Sequence, residues 1–212
     1  MKFPPEFNRI CLALIIILLI LWFIHLCYFT PLVPFAPPGD YQRDAAIIYN
    51  ILKGNLGRDP TYLKEVAFYP YLYHLYMAGI HIITGIPVQT LLVSYPYLVS
   101  VPTLTMILLG SYWLFSSTMV ILVITVAALL SFPWLRDAFA QATHSIILSF
   151  GIFTLTLSIY FKATTVRRFW LYILTGIAVA LTIQTHLVAG MTISAVIFFQ
   201  ISYWSVKTGG SF

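Results

Sequence analysis

The chain has 212 residues, of which 60% are hydrophobic, 17% are aromatic and only 8% are charged. A soluble domain is about half apolar and about a quarter charged, so this composition excludes an ordinary soluble protein and predicts an integral membrane protein. The formal net charge of +5 comes from scattered basic residues that flank apolar segments. That pattern marks the cytoplasmic ends of membrane spans, and we expect no nucleic-acid partner.

The apolar segments predict an all-α, polytopic membrane helix bundle that forms a single domain, residues 1–212. A span needs about 20 apolar residues. Six segments meet or approach this length, at residues 10–30, 88–113, 118–132, 143–161, 169–186 and 187–206. The first, within residues 1–32, has a long apolar run with no small-residue cleavage site after it, so we expect an uncleaved span. The five further spans occupy residues 88–206.

Residues 33–87, between the first two spans, contain most of the acidic residues of the chain. Within this loop, residues 43–53 predict a short amphipathic helix that ends at Gly54. Its apolar stripe consists of Ile47, Ile48, Ile51 and Leu52. We expect the stripe to rest on the membrane surface and Asp44, which lies away from it, to face solvent.

Residues 66–84 are aromatic and predict a second helix of this loop, ending at Gly85. The distribution of basic residues indicates whether this helix crosses the membrane. If it lies along the interface, the N-terminus, the Lys162–Arg168 group and Lys207 all fall on the cytoplasmic side. We therefore predict a juxtamembrane helix, six spans, a cytoplasmic-membrane location with the N-terminus inside, and an external position for the first loop and for residues 133–142.

Two acidic residues of the first loop allow two interpretations each. Asp40 follows the sequence Pro37–Gly39, which predicts a turn, and Asp40 can cap the helix after it. Alternatively, Asp40 is a general base at the membrane surface, kept ionised by the nearby Arg43. Asp44 has the same two interpretations, with solvent or neighbouring lysines satisfying its carboxylate.

Two further pairs of polar residues are candidates. Arg136 and Asp137 end a span on the predicted external side, either as a boundary ion pair of little energetic value or as a second polar group facing the site of Asp40. His74 and His81 are seven residues apart, a spacing that does not bracket one metal ion. We interpret them as part of an aromatic belt at the interface and predict no metal site.

Four stretches, taken in order, resemble the N-terminal half of a GT-C-fold membrane glycosyltransferase of the protein-mannosyltransferase-like type. They are GDYQRDAAIIYNILKGN, FYPYLYHLYMAGIHIITGI, SFPWLRDAFAQATHSIILSFGIFTLTLSIYF and GIAVALTIQTHLVAG. The first stretch is similar to the family's loop pattern of Asp, Asn ten residues later and Gly fourteen residues later, here Asp40, Asn50 and Gly54. The resemblance extends over about residues 10–206.

The resemblance implies that Asp40 is the catalytic base, which helps an acceptor hydroxyl attack a sugar carried on a polyprenyl phosphate. The leaving phosphate is anionic and needs cationic and polar partners. The substrate-binding residues that we assign are Arg43, Asp44, Arg58, Lys64, Arg136 and Asp137. Membrane lipids, the lipid-linked sugar and other membrane subunits are the implied partners. The motifs require no cofactor. The resemblance is also compatible with a bound divalent metal ion.

The chain departs from the family at informative places. The family's Asp-Glu pair is Asp40-Tyr41 here, and family members are much longer. We therefore expect a fragment, half of a split enzyme, or a truncated relative reused as a structural subunit. The alternative function is accordingly a non-catalytic, GT-C-like subunit of a larger membrane complex, including a complex that binds pigment.

Overall fold

The computed structural model of the chain describes residues 4–29, 38–59, 70–138 and 145–207. In these ranges the chain folds into helices joined by turns and short links, which confirms the predicted all-α class. The helices are α1 (Pro5–Phe29), α2 (Pro38–Leu52), α3 (Leu72–Thr84), α4 (Val88–Val93), α5 (Tyr95–Phe115), α6 (Thr118–Ala138), α7 (Ser145–Val166), α8 (Phe169–Thr185) and α9 (Leu187–Lys207).

Within the described ranges, three helices are long and apolar enough to cross a membrane. They are Pro5–Ile24 within α1, Leu98–Phe115 within α5, and Ser145–Val166, which is α7. Shorter apolar helical stretches occupy Thr118–Leu129, Phe169–Thr185 and Leu187–Tyr203. The described chain is therefore helical and contains helices that could span a membrane, in agreement with the predicted class of protein.

The predicted span 88–113 is wrong in one respect, because the helix is interrupted at Ser94, between α4 and α5. A new helix begins directly after it, with Pro96 in its first turn. Proline lacks the N–H group that a continuous helix would need, yet it fits the first turn of a new one. Pro102 lies inside α5 without ending it.

Two predicted loops are shorter in the structure. The predicted external segment 133–142 is helical as far as Ala138, so Arg136 and Asp137 belong to the last turn of α6. Likewise α7 continues to Val166 and includes Lys162, which leaves only a two-residue link before α8. These charged residues therefore belong to the ends of helices rather than to loops.

Helices α1 and α6 run parallel, with their N-terminal ends together. The Oγ1 hydroxyl of Thr118, at the start of α6, donates a 2.6 Å hydrogen bond to Oδ1 of Asn8 near the start of α1. Because the two helices also contact each other and both have more than 20 residues, their C-terminal ends are directed toward the opposite end of the bundle.

Helices α5 and α7 are also parallel and approach each other closely. Gly151 lies against Thr103, where an added Cβ would be 2.9 Å from the Thr103 Cα atom, and Gly110 lies against Ser158 further along both helices. The hydroxyl of Thr103 donates to the carbonyl of Ile147 across the same interface. Small residues at a helix interface permit such close backbone contact.

Helix α8 packs antiparallel on α7, and Thr156 and Thr182 share a buried hydrogen bond of 3.1 Å between them. Only His186 separates α8, which has 17 residues, from α9. Gly190 packs directly against Ile183, with no room for a side-chain carbon at that position. The predicted boundaries of these two segments agree with the structure to within one residue.

The short helices α2, α3 and α4 form a layer over the end of the bundle at which α5 and α7 begin. The buried cluster that joins them to the bundle comprises Ile48, Tyr73, Met77, Ala78, Val88, Leu91, Leu92, Val99, Ile147 and Leu148. The predicted helix 66–84 is wrong in its start, because Pro70 and Tyr71 are not helical and α3 has 13 residues from Leu72 to Thr84. Gly85, with φ +70°, ends it as predicted. At about 20 Å, α3 is too short to cross a hydrocarbon core of about 30 Å.

Candidate functional site

Helix α2 carries the candidate base and begins earlier than the sequence predicts. It starts at Pro38, a residue type favoured at the first helical position, so Gly39 and Asp40 already lie in its first turn. The prediction of a turn before Asp40 is therefore wrong for Pro38 and Gly39, while Pro37 lies outside the described residues. An acidic residue in the first turn is stabilised by the positive end of the helix dipole.

The C-terminal end of α2 is closed by the backbone of Gly54, as predicted. Gly54 has φ +81°, its N–H donates to the carbonyl of Ile51, and the N–H of Asn55 donates to the carbonyl of Asn50. These two bonds form a Schellman motif, which requires a residue in the left-handed region. The Asn50 side chain donates from Nδ2 to the carbonyl of Arg58 at 3.3 Å and thereby holds the following loop.

The apolar stripe of α2 packs on protein and not on the membrane surface. Ile48 is buried in a cluster with residues of α3 and α4, Ile51 and Leu52 pack against that cluster, and Ile47 is only 3% exposed. The stripe itself was identified correctly, but its expected partner was wrong, because the two helices that follow α2 in the chain pack over it.

Asp44 and His74 form a buried polar pair between α2 and α3. Each is only 1% exposed, and Nε2–H of His74 donates to Oδ1 of Asp44 at 3.1 Å. Nη2 of Arg43 lies 3.4 Å from the same oxygen, and the Arg43 side chain is 33% exposed. The predictions that Asp44 faces solvent and that His74 belongs to an interfacial belt are therefore wrong.

Contacts within the protein, rather than water, offset the cost of burying this pair. A buried ionisable group costs several kcal/mol unless it is paired and hydrogen-bonded. The imidazole and the Arg43 guanidinium both approach Oδ1 of Asp44, whereas Oδ2 accepts no hydrogen bond from the part of the chain that the structure describes. The Tyr73 ring stands edge-on to the His74 ring, with centroids 5.2 Å apart. The pair is a fixed polar joint between two helices.

Two tyrosine hydroxyls add further links, one within this layer and one from the layer to the bundle. Tyr41 donates to the carbonyl of Gln89 in α4 at 3.4 Å, and Tyr76 of α3 donates to the carbonyl of Leu98 in α5 at 2.7 Å. Burial raises the pKa of Tyr76, so its hydroxyl keeps the proton that it donates. Helices α2 and α3 are thus attached to the bundle through polar as well as apolar contacts.

The predicted site residues are partly brought together. Arg43 and Asp44 meet at the polar joint, and Arg58 is exposed in the loop after α2. Arg136 and Asp137 lie at the end of α6, and Lys64 lies outside the described residues.

Sequence reasoning missed His74 as the partner of Asp44. One signal was available: a histidine on the helix that follows a lone carboxylate can satisfy that carboxylate if the two helices pack together.

Among the residues that the structure describes, no group of three or more His, Cys, Asp or Glu side chains is arranged to hold a metal ion. The divalent ion left open by the resemblance has no described ligand set, and no chemical step below passes through one. Comparison of the chain with protein-family models, with curated proteins and with solved structures yields no match.

Proposed function

We propose that this chain is a membrane glycosyltransferase-like protein that transfers a sugar from a polyprenyl-phosphate donor, with Asp40 as the general base. The supporting observation is the parallel packing of α1 and α6, fixed at one end by Thr118 and Asn8. It brings the C-terminal end of α6, with Arg136 and Asp137, to the end of the bundle that α1 reaches before the Asp40 segment.

The chemistry requires a base at the height of the lipid headgroups. Asp40 accepts the proton of an acceptor hydroxyl, the hydroxyl oxygen attacks the anomeric carbon, and the bond from that carbon to the phosphate oxygen breaks. The polyprenyl phosphate leaves as an anion, and guanidinium groups stabilise such charge well. In this proposal Arg43 and the exposed Arg58 supply that charge, with Lys64 and Arg136 as further cations.

The same proposal includes six spans, with α6, α8 and α9 crossing together with α1, α5 and α7. The N-terminus and the α7–α8 link, with Arg167 and Arg168, lie in the cytoplasm, and the layer of α2, α3 and α4 lies outside. The basic residues support this orientation, because Lys and Arg are enriched in cytoplasmic loops.

A second candidate is a non-catalytic subunit of a larger membrane complex, and one contact favours it. Tyr41 stands where the resembled family has a second acid, and its hydroxyl donates to the carbonyl of Gln89. That residue therefore links α2 to α4 and offers no carboxylate. In this alternative, the acids of the loop hold helix ends and neighbouring chains.

Replacing Asp40 by Asn tests the proposed reaction. Asn retains the size of the side chain and gives up only the interaction of an acid with the helix dipole, worth about 0.3–1 kcal/mol, so we expect normal expression. Loss of general-base assistance costs about 10²- to 10⁴-fold in rate. The measurement is transfer of labelled sugar from a polyprenyl-phosphate donor in membranes, with any partner subunit present.

Glu6→Gln is the matched control, because Glu6 is an exposed acid at the other end of the bundle. It should transfer sugar at the wild-type rate. If wild type transfers no sugar from any donor, and deletion of the chain destabilises a purified complex, the subunit alternative replaces the enzymatic one.

A further inference from the structure

The joint between α2 and α3 contains a directional contact where apolar packing alone would hold the helices together. Ile47 and Ile48, which belong to the apolar stripe of α2, are already buried. The free energy gained by burying apolar surface is non-directional. Apolar residues in place of a buried ion pair are often equally stable or more stable. The hydrogen bond from His74 to Asp44 at 3.1 Å therefore adds a fixed rotation and register of α2 on α3, beyond its effect on stability.

The backbone of Asp40 lies four residues before Asp44 in the same helix. Positions four apart are neighbours on one helix face, about 5–6 Å from each other. Tyr41, bonded to Gln89, and Asp44, bonded to His74, thus anchor the first part of α2 at two points. Whatever fixes these two residues also fixes the backbone position of Asp40.

We propose that His74, acting through Asp44, positions Asp40 for sugar transfer, which makes His74 a positioning residue. This inference rests on the proposed function and extends it to a second helix. Rates depend steeply on such placement, because a shift of about 1 Å caused from a distance can cost about 10²-fold.

The double variant Asp44→Leu/His74→Leu distinguishes the role of this pair in positioning Asp40 from its contribution to the stability of the fold. It removes the hydrogen bond but keeps the joint filled with apolar atoms, and Arg43 remains in contact with solvent because its side chain is 33% exposed. We expect a melting temperature close to that of wild type, a kcat lower by about 10²-fold, and a KM for the lipid donor that is little changed. A wild-type kcat at a wild-type melting temperature would overturn the inference.

The double variant Asp44→Asn/His74→Gln is the matched control. The Gln amide nitrogen replaces Nε2 of His74 as donor, and the Asn oxygen replaces Oδ1 of Asp44 as acceptor, so a directional bond remains without charge. We expect the kcat of this variant to lie well above that of the leucine pair, because the directional bond that places α2 on α3 is kept. If the leucine pair fails to fold, the amide pair is compared with Asp40→Asn instead: a kcat between that of wild type and that of Asp40→Asn supports positioning, and a loss as large as that of Asp40→Asn contradicts it.

The outcomes separate this inference from the function on which it rests. If wild type shows no sugar transfer, the proposed function fails and the positioning role fails with it. If wild type and the leucine pair are equally active while Asp40→Asn is inactive, the function stands and only the positioning role is wrong.

Discussion

At the scale of single residues, the stability of the protein depends on His74 of α3, because this residue donates a hydrogen bond to the buried carboxylate of Asp44 in α2. His74→Leu removes its hydrogen-bond donor and leaves a carboxylate that is 1% exposed. Breaking a buried pair by removing one partner costs about 3–5 kcal/mol. We expect a loss of that order in the free energy of unfolding, measured by thermal melting in detergent or lipid.

His81→Leu is the control for this prediction. His81 lies on the same helix and donates from Nδ1 to the carbonyl of Ile86 at 2.8 Å, but this contact is exposed. Its loss should cost about 1 kcal/mol, the net value of an ordinary hydrogen bond. Equal losses for the two variants would contradict a special role of the Asp44–His74 joint.

The structural roles of some of these residues were predicted correctly from the sequence, whereas the environment of others was predicted wrongly. Gly54 and the apolar stripe of α2 follow from local periodicity and turn chemistry, and the structure agrees with both. The burial of Asp44 does not follow, because its partner His74 is 30 residues away. A helical pattern shows which residues share a face, but not which other helix covers the flank of that face.

At the scale of helices, the contact of α5 with α7 depends on Gly151. A Cβ at this position would meet the Thr103 Cα atom at 2.9 Å and its carbonyl oxygen at 3.1 Å, and backbone atoms cannot rotate away. We expect Gly151→Ala to lower the free energy of unfolding by about 1–3 kcal/mol, the usual cost of overpacking, measured by thermal melting.

Gly176→Ala in α8 is the matched control, because a Cβ there meets nothing within 4 Å. Alanine is favoured over glycine inside a helix by up to about 1 kcal/mol. This variant should be neutral or stabilising. If both alanine variants shift the melting temperature equally, close contact between α5 and α7 is not what Gly151 provides.

Helix boundaries were predictable where a local signal marks them. The ends of α8 and α9 agree with the predicted segments, and Gly85 ends α3 as expected. The interruption at Ser94 was missed because the apolar run continues through it, and hydropathy does not register where one helix ends and the next begins. The start of α2 was missed because Pro38 was assigned to a turn when it begins the helix.

At the scale of the whole molecule, the arrangement of the two ends of the bundle predicts a labelling pattern. Leu56 is exposed in the loop after α2, and Arg168 is exposed in the α7–α8 link. Single cysteines at these positions, in a chain without Cys11 and Cys27, should react from opposite sides of the membrane. Residue 168 should label from the side of the N-terminus, as the basic residues indicate.

Ser117, in the link between α5 and α6, provides an internal check. It lies next to Thr118, which bonds Asn8 near the start of α1, so a cysteine at 117 should react from the same side as one at 168. Labelling of 56 and 168 from one side would refute the six-span topology.

The one-residue link at His186 has a consequence for the lipid around the protein. Helix α8 has 17 residues, or about 25 Å, whereas the hydrocarbon core is about 30 Å thick. With a single residue between α8 and α9, no loop is available to reach the headgroups. If α8 crosses as proposed, a bilayer that is thinner beside this hairpin relieves the hydrophobic mismatch, whose cost rises with each ångström. The protein would then partition toward thin membranes.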